Sequence, residues 1–148
     1  MLNSEQKTAI ISRLSLISIG MVMGLNLVIV LIGYYIDNNQ LIQPINNISL
    51  IRNILFLFGL SEIAAIYFIR KSQLSKIKIA NSDFDGLSQK LFSLTIIISA
   101  LCIAISIYGL VLLFLGEEFR IMILFVAISL TAYQLFRLRN RDLDKIDQ

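Results

Sequence analysis

The chain of 148 residues contains no histidine and no tryptophan, and it has one cysteine and one proline. Without histidine there is no Ser-His-Asp or Cys-His nucleophilic site and no histidine ligand for haem. One cysteine cannot form a disulfide framework or a cysteine-based zinc site. The sequence also contains no phosphate-binding loop and no paired catalytic carboxylates. We therefore predict a protein that is not an enzyme, with no catalytic residue, no metal site and no cofactor.

Charged residues are also scarce, at 16 % of the chain, against about one quarter in soluble proteins. Hydrophobic residues make up 57 % and are gathered into four blocks separated by short charged segments. This distribution excludes an ordinary soluble globular domain. The blocks contain 23, 17, 26 and 16 residues, at 14–36, 53–69, 91–116 and 121–136, and the second is interrupted by Glu62.

The lengths of these blocks predict four membrane-spanning helices. A hydrocarbon core about 30 Å thick requires roughly 20 helical residues, and flanking arginines can extend the two shorter blocks by snorkelling. No small-x-small cleavage site follows the first block, so we expect an uncleaved first helix. The predicted fold is an all-α, integral-membrane bundle of four transmembrane helices forming a single domain, 1–148. Its helices are expected near 9–36, 48–70, 89–116 and 119–137, with a cytoplasmic loop at 71–88.

The positions of the basic residues predict the orientation of this bundle in the membrane. Arg52 and Arg120 fall on one side of the membrane, and the other eleven lysines and arginines fall on the opposite side. The positive-inside rule therefore places both termini and the central loop in the cytoplasm. The eleven are Lys7, Arg13, Arg70, Lys71, Lys76, Lys78, Lys90, Arg137, Arg139, Arg141 and Lys145.

Because topology accounts for these charges, the net charge of +3 does not indicate binding to nucleic acid. The central loop could contact anionic lipid headgroups or a cytoplasmic partner, but we expect a solvated loop that sets the topology. The C-terminal tail mixes both signs and is expected to be a solvated helix end. Glu117 and Glu118, on the outer side, are expected to form a solvated corner.

The third block contains a regular line of small residues. They recur at steps of four and three, and at about 100° per residue they lie within an arc of roughly 100°. Small residues let helix backbones approach closely in lipid. We predict that this small-residue stripe is a packing face within the bundle or between subunits, rather than a substrate path. It consists of Thr95, Ser99, Cys102, Ser106, Gly109 and Gly116.

The first helix has a second packing signal, Gly20-Met-Val-Met-Gly24, which has the GxxxG spacing of transmembrane dimers. Asn26 lies about 200° around the helix from Gly24. The first helix is therefore predicted to pack on two sides, through its glycines and through Asn26.

Glu62 is nearly central in the second block, where a charged side chain costs roughly 2.5–3.5 kcal/mol on insertion scales. Asn26 is similarly central in the first helix, so the two side chains can meet at one depth if those helices pack as a hairpin. One interpretation is a proton- or cation-binding carboxyl in a small transporter. The other is an interhelical Glu62–Asn26 hydrogen bond, which we prefer because the acid has no basic partner.

The run Ser99–Gly116, SALCIAISIYGLVLLFLG, resembles the second helix of the proteolipid c subunit of rotary ATP synthases and is similar to c-like helices of uncharacterised four-helix bacterial membrane proteins. In c subunits a carboxylate stands five residues before the tyrosine of an Ile-Tyr-Gly-Leu-Val run. Here that position is Ile103, five residues before Tyr108, and Ile103 cannot carry a proton. The resemblance therefore implies a c-like scaffold, and it transfers no ion-carrying function to this helix.

Together these features predict a small multi-pass membrane protein. Its leading function is that of an accessory, assembly or oligomer-forming subunit that acts through helix packing. The alternative is a proton-coupled or cation transporter that uses Glu62. The expected partners are the lipid bilayer and further copies of the chain or a larger membrane complex. The membrane is expected to be the bacterial inner membrane, with an organellar membrane as the alternative.

Overall fold

The computed structural model describes residues 4–39, 42, 47–76, 84–139 and 142. Its helices are α1 (Ser4–Asn38), α2 (Ile48–Lys76), α3 (Phe84–Phe114) and α4 (Phe119–Phe136). Each helix is long and apolar enough to cross a membrane. The prediction of an all-helical chain with four such helices is therefore confirmed, and the four candidate spans indicate a multi-pass membrane protein. The cytoplasmic location of the termini stays a prediction from the distribution of charge.

The helices around the central connection extend beyond the apolar blocks that predicted them. α2 continues past residue 70 to Lys76, and α3 begins at Phe84 rather than at 89. The segment 71–88 is thus helical at both ends, and 77–83 lies outside the described residues. Charge ends an apolar block without ending a helix, since residues 71–76 include lysine, glutamine and leucine, all good helix formers. The side chains of Lys7, Lys78, Arg141 and Lys145 also lie outside the described residues.

The turn between α3 and α4 is fixed by Gly116, which has a φ of 92°. The Gly116 N–H donates to the Leu113 carbonyl (2.9 Å) and the Glu117 N–H to the Leu112 carbonyl (3.0 Å). This pair of bonds is a Schellman motif, in which glycine accepts the left-handed conformation without a Cβ penalty. Gly116 therefore ends α3 and lies in the turn, so it is not a helical member of the small-residue stripe.

α3 is the central helix of the bundle. It packs against α4 most extensively and also against α1 and α2, and α1 packs on α4 as well. α1 and α2 barely touch each other, so the α1–α2 hairpin on which the Glu62–Asn26 contact depended does not form. α2 is the most loosely held helix, because only 6 % of its most apolar stretch is buried inside the chain, against 50 % for α3.

α1 buries a single stripe of side chains against its neighbours. The buried positions recur every three or four residues, as expected for one face of a helix. The opposite face of α1 remains exposed and carries Leu16, Met23, Leu27 and Leu31. α1 is therefore packed on one side only. Its buried stripe comprises Ile10, Leu14, Ser18, Val22, Asn26, Ile29 and Ile36.

Candidate functional site

Asn26 joins α1 to α3 through a buried hydrogen bond. The Ser106 hydroxyl donates to Asn26 Oδ1, and Asn26 Nδ2 donates to the Val22 carbonyl at 2.8 Å, one turn back along α1. Both side chains are buried. A buried amide in an apolar bundle must find such partners, because an unpaired one costs the full desolvation of the group. The Asn26 side chain is thus anchored at both its oxygen and its nitrogen.

Glu62 joins α2 to α3 through Tyr108. The Tyr108 hydroxyl donates to Glu62 Oε1 at 2.5 Å, a short bond of the kind formed between a hydroxyl and a carboxylate. The second oxygen, Oε2, is buried and has no hydrogen-bond partner in the part of the chain that the structure describes. The carboxyl is therefore half-satisfied: one oxygen accepts a hydrogen bond from a tyrosine, and the other has no partner among the described residues.

The predicted Glu62–Asn26 hydrogen bond is thus replaced by two separate bonds, each to α3. Ser106 and Tyr108 are two residues apart, so they point about 200° away from each other around α3. α1 and α2 accordingly lie against nearly opposite faces of that helix, and their polar groups are held apart by it. The position of both groups near mid-membrane stays a prediction, and the sequence did not identify their neighbours.

Two ion pairs hold the ends of α2. At its N-terminal end, Arg52 Nη1 lies 3.3 Å from Glu117 Oε1, and the Glu117 side chain is 9 % exposed. At the other end, Arg70 Nη2 donates to both carboxylate oxygens of Asp142, each at 2.8 Å. The predictions of a solvated corner at Glu117 and a solvated tail are therefore wrong for Glu117 and Asp142. A loosely packed helix is instead fixed to its neighbours at three depths, through Arg52, Glu62 and Arg70.

Sequence reasoning missed a further polar contact, between α1 and α4. Ser18 Oγ lies 2.5 Å from the Tyr133 hydroxyl, and either oxygen can be the donor. Both residues are buried. Ser18 lies two four-residue steps before Asn26 and therefore falls on the same stripe of α1. This spacing is the signal that could have identified it.

The small-residue stripe is buried throughout its helical part. Thr95 Oγ1 donates to the Leu91 carbonyl at 2.8 Å, whereas Ser99 Oγ is buried with no partner among the residues that the structure describes. Cys102 is a buried free cysteine. Gly109 lies closest to α4: a Cβ built on it would be 2.7 Å from Phe125 Cβ. The stripe within α3 therefore belongs to the interior of this chain, which leaves it unavailable to another subunit.

Gly20 and Gly24 have the opposite environment. Both are exposed, and a Cβ built on either would have no atom of the described residues within 4 Å. The glycine of α1 that does approach another helix is Gly33, where an added Cβ would collide with the Met122 side chain. Within the described residues the GxxxG pair is thus not used for packing, and packing of α1 through these glycines stays a prediction.

Among the described residues there is no group of three histidine, cysteine, aspartate or glutamate side chains that could hold a metal ion. The polar groups that the bundle does bring together are pairs: Glu62 with Tyr108, and Asn26 with Ser106. Of the two pairs, only Glu62 with Tyr108 contains a carboxyl, which can bind a proton or supply oxygen ligands to a cation.

Tyr108 is also the tyrosine of the run that resembles a c-subunit helix. The carboxylate that it meets comes from α2 instead of from the position of Ile103. The resemblance itself stays an expectation based on the run. Comparison of the chain with known proteins finds no matching family model, no similar curated protein and no similar solved structure.

Proposed function

We propose that this chain is a non-enzymatic membrane subunit that assembles with further copies of itself through α1. The observation that supports this proposal is the exposed glycine pair, Gly20 and Gly24, which has open space in front of it. We place the subunit in the bacterial inner membrane, with an organellar membrane as the alternative. Both termini and the α2–α3 connection face the cytoplasm.

Helices in lipid gain nothing from excluding water, so their association depends on close van der Waals packing. Two glycines four residues apart create a flat patch that lets another backbone approach closely. Inside this chain other contacts hold α1, while the patch remains bare and is flanked by the exposed side chains of Leu16 and Leu27. A second α1, presenting the same patch across a twofold axis, is the partner with the matching shape.

Replacing both glycines should therefore dissociate the assembly and leave the protomer folded. We expect Gly20→Leu combined with Gly24→Leu to shift the protein from oligomer to monomer in mild detergent, because leucine side chains separate the two backbones. Native mass spectrometry of gently solubilised protein measures the copy number directly. The matched control is Ala127→Leu, the same kind of enlargement at an exposed position of α4, which should leave the copy number unchanged. A parent protein that is monomeric contradicts the proposal.

A second candidate function is transport of protons or small cations, and the observation that favours it is the unpartnered, buried Oε2 of Glu62. An acidic side chain inside a membrane is costly and commonly marks an ion pathway. In this function Glu62 carries the ion, and the Tyr108 hydroxyl orients the carboxyl by binding Oε1.

A lipid-soluble carbodiimide tests whether this carboxyl is accessible from the membrane and able to hold a proton. The reagent is expected to modify the parent protein at Glu62, because this side chain is only half-buried and an apolar reagent can enter the bilayer. Peptide mass spectrometry locates the adduct, and the Glu62→Gln variant should lose that adduct alone. Modification confined to carboxyls at the ends of the helices contradicts the second candidate.

A further inference from the structure

The cytoplasmic ends of α2 and α3 enclose a groove with polar walls and an apolar floor. Its cavity measures about 240 Å³. The polar side chains come from both helices, Gln73 and Lys76 from α2 and Lys90 and Ser93 from α3, whereas Leu94 and Ile97 form the floor. The groove is separate from the Glu62–Tyr108 pair and from the glycines of α1.

The two lysines of this groove have no carboxylate partner among the described residues. Neither Lys76 nor Lys90 forms an ion pair with a residue that the structure describes, although Arg70, on the same helix, is paired with Asp142. Both lysine side chains are exposed. Two ammonium groups from different helices, with a hydroxyl and an amide beside them, form a set of hydrogen-bond donors suited to phosphate oxygens.

The lining of the groove changes from polar to apolar along the membrane normal. Lys76 is six residues beyond Arg70, or about 9 Å along the helix axis, which places it at the level of headgroups. Along α3, Ile97 lies seven residues deeper than Lys90, or about 10 Å. The donors thus lie at the mouth and the apolar side chains lie toward the hydrocarbon. A ligand that fits this order has an anionic head and an apolar tail.

We propose that this groove binds an anionic phospholipid. Its phosphate lies between Lys76 and Lys90 and accepts hydrogen bonds from Ser93 and Gln73, and its first acyl carbons lie on Leu94 and Ile97. Basic pockets between transmembrane helices on the cytoplasmic side bind anionic lipids by this chemistry. The apolar floor favours a lipid over free phosphate, because a soluble ion gains nothing from Leu94 and Ile97.

Lipid retention measured by native mass spectrometry tests this proposal. Parent protein in mild detergent is titrated with phosphatidylglycerol, with phosphatidylcholine of the same chains, and with inorganic phosphate. We expect the parent to retain phosphatidylglycerol selectively. Lys76→Gln and Lys90→Gln should each weaken its retention about fivefold, because one lysine near anionic lipid raises the affinity by about that factor. The double variant should weaken retention about twenty-five-fold.

The matched control is Lys71→Gln, which removes the same charge from the same helix. Lys71 lies about 140° around α2 from Lys76 and is not part of the groove, so its removal should leave retention within twofold of the parent. Equal losses in all three single variants would show a general charge effect and overturn the site. Equal retention of phosphatidylcholine would do the same. Displacement of phosphatidylglycerol by inorganic phosphate would show that the groove binds free phosphate and would overturn the proposal of a lipid ligand.

Discussion

Replacing Gly109 with leucine is expected to abolish the accumulation of folded protein. A Cβ at this position would lie 2.7 Å from Phe125 Cβ and 3.0 Å from the Met122 carbonyl oxygen. The latter is a backbone atom and cannot rotate aside, so α4 has to move as a body. Even one inserted carbon in a packed core commonly costs about 1–3 kcal/mol, and leucine adds three more. Size-exclusion chromatography in detergent and thermal unfolding measure the loss.

The milder substitution Gly109→Ala tests the same contact with a smaller side chain. Its matched control is Gly59→Ala. At Gly59 an added Cβ would be in ordinary contact, 3.8 Å from Ile105 Cγ2 and 3.9 Å from Phe125 Cε1. Alanine there gains helix propensity of up to about 1 kcal/mol without a collision. We therefore expect Gly59→Ala to raise the unfolding temperature and Gly109→Ala to lower it. Equal unfolding temperatures for the two variants would mean that α3 and α4 are not packed this closely.

The number of helices could be predicted from the sequence because a bilayer imposes a minimum length on every apolar span. The ends of the helices could be predicted less well. Lys76 lies in a helix because nothing in residues 71–76 breaks one, whereas Gly116 ends α3 because it takes a positive φ. Hydropathy records where the hydrocarbon ends, and backbone hydrogen bonding determines where the helix ends.

The partners of the buried polar groups could not be predicted. Helical periodicity gives the face on which Asn26 or Glu62 lies, and it contains no information about which helix covers that face. The short turn around Gly116 forces α3 beside α4, but the longer connection between α1 and α2 leaves room for several arrangements. Ser106 and Tyr108 became the partners because α3 lies between the two outer helices.

The small residues illustrate the same limit. Gly20, Gly24 and Gly109 all occur at spacings typical of helix packing, and the sequence does not distinguish a glycine that faces a neighbour from one that faces lipid. In the structure Gly109 is in tight contact with α4, while the α1 pair is bare. An assembly experiment directed at Gly109 therefore tests folding, and one directed at Gly20 and Gly24 tests association.

Glu62→Gln is expected to abolish proton-coupled flux in proteoliposomes while preserving the folded bundle. Glutamine has nearly the size of glutamate, and its amide oxygen can still accept the Tyr108 hydroxyl bond, but it cannot bind and release a proton. A pH-sensitive dye trapped inside the vesicles, with a potassium diffusion potential as the driving force, reports the flux. Flux in Glu62→Gln equal to the parent, or no flux in the parent, contradicts transport through this carboxyl.

Thermal unfolding of variants of Tyr108 separates this role from a purely structural one. Tyr108→Phe leaves both oxygens of Glu62 without a partner, which is expected to cost about 1–3 kcal/mol. Adding Glu62→Met to Tyr108→Phe removes both polar groups and should restore the stability of the parent, because replacing both members of a buried pair is close to neutral. If Glu62 carries the ion, this double variant should lose flux while its stability remains that of the parent. If the double variant instead stays as unstable as Tyr108→Phe, the unpaired carboxyl is not what destabilises Tyr108→Phe, and the loss of flux in the double variant follows from a disturbed fold.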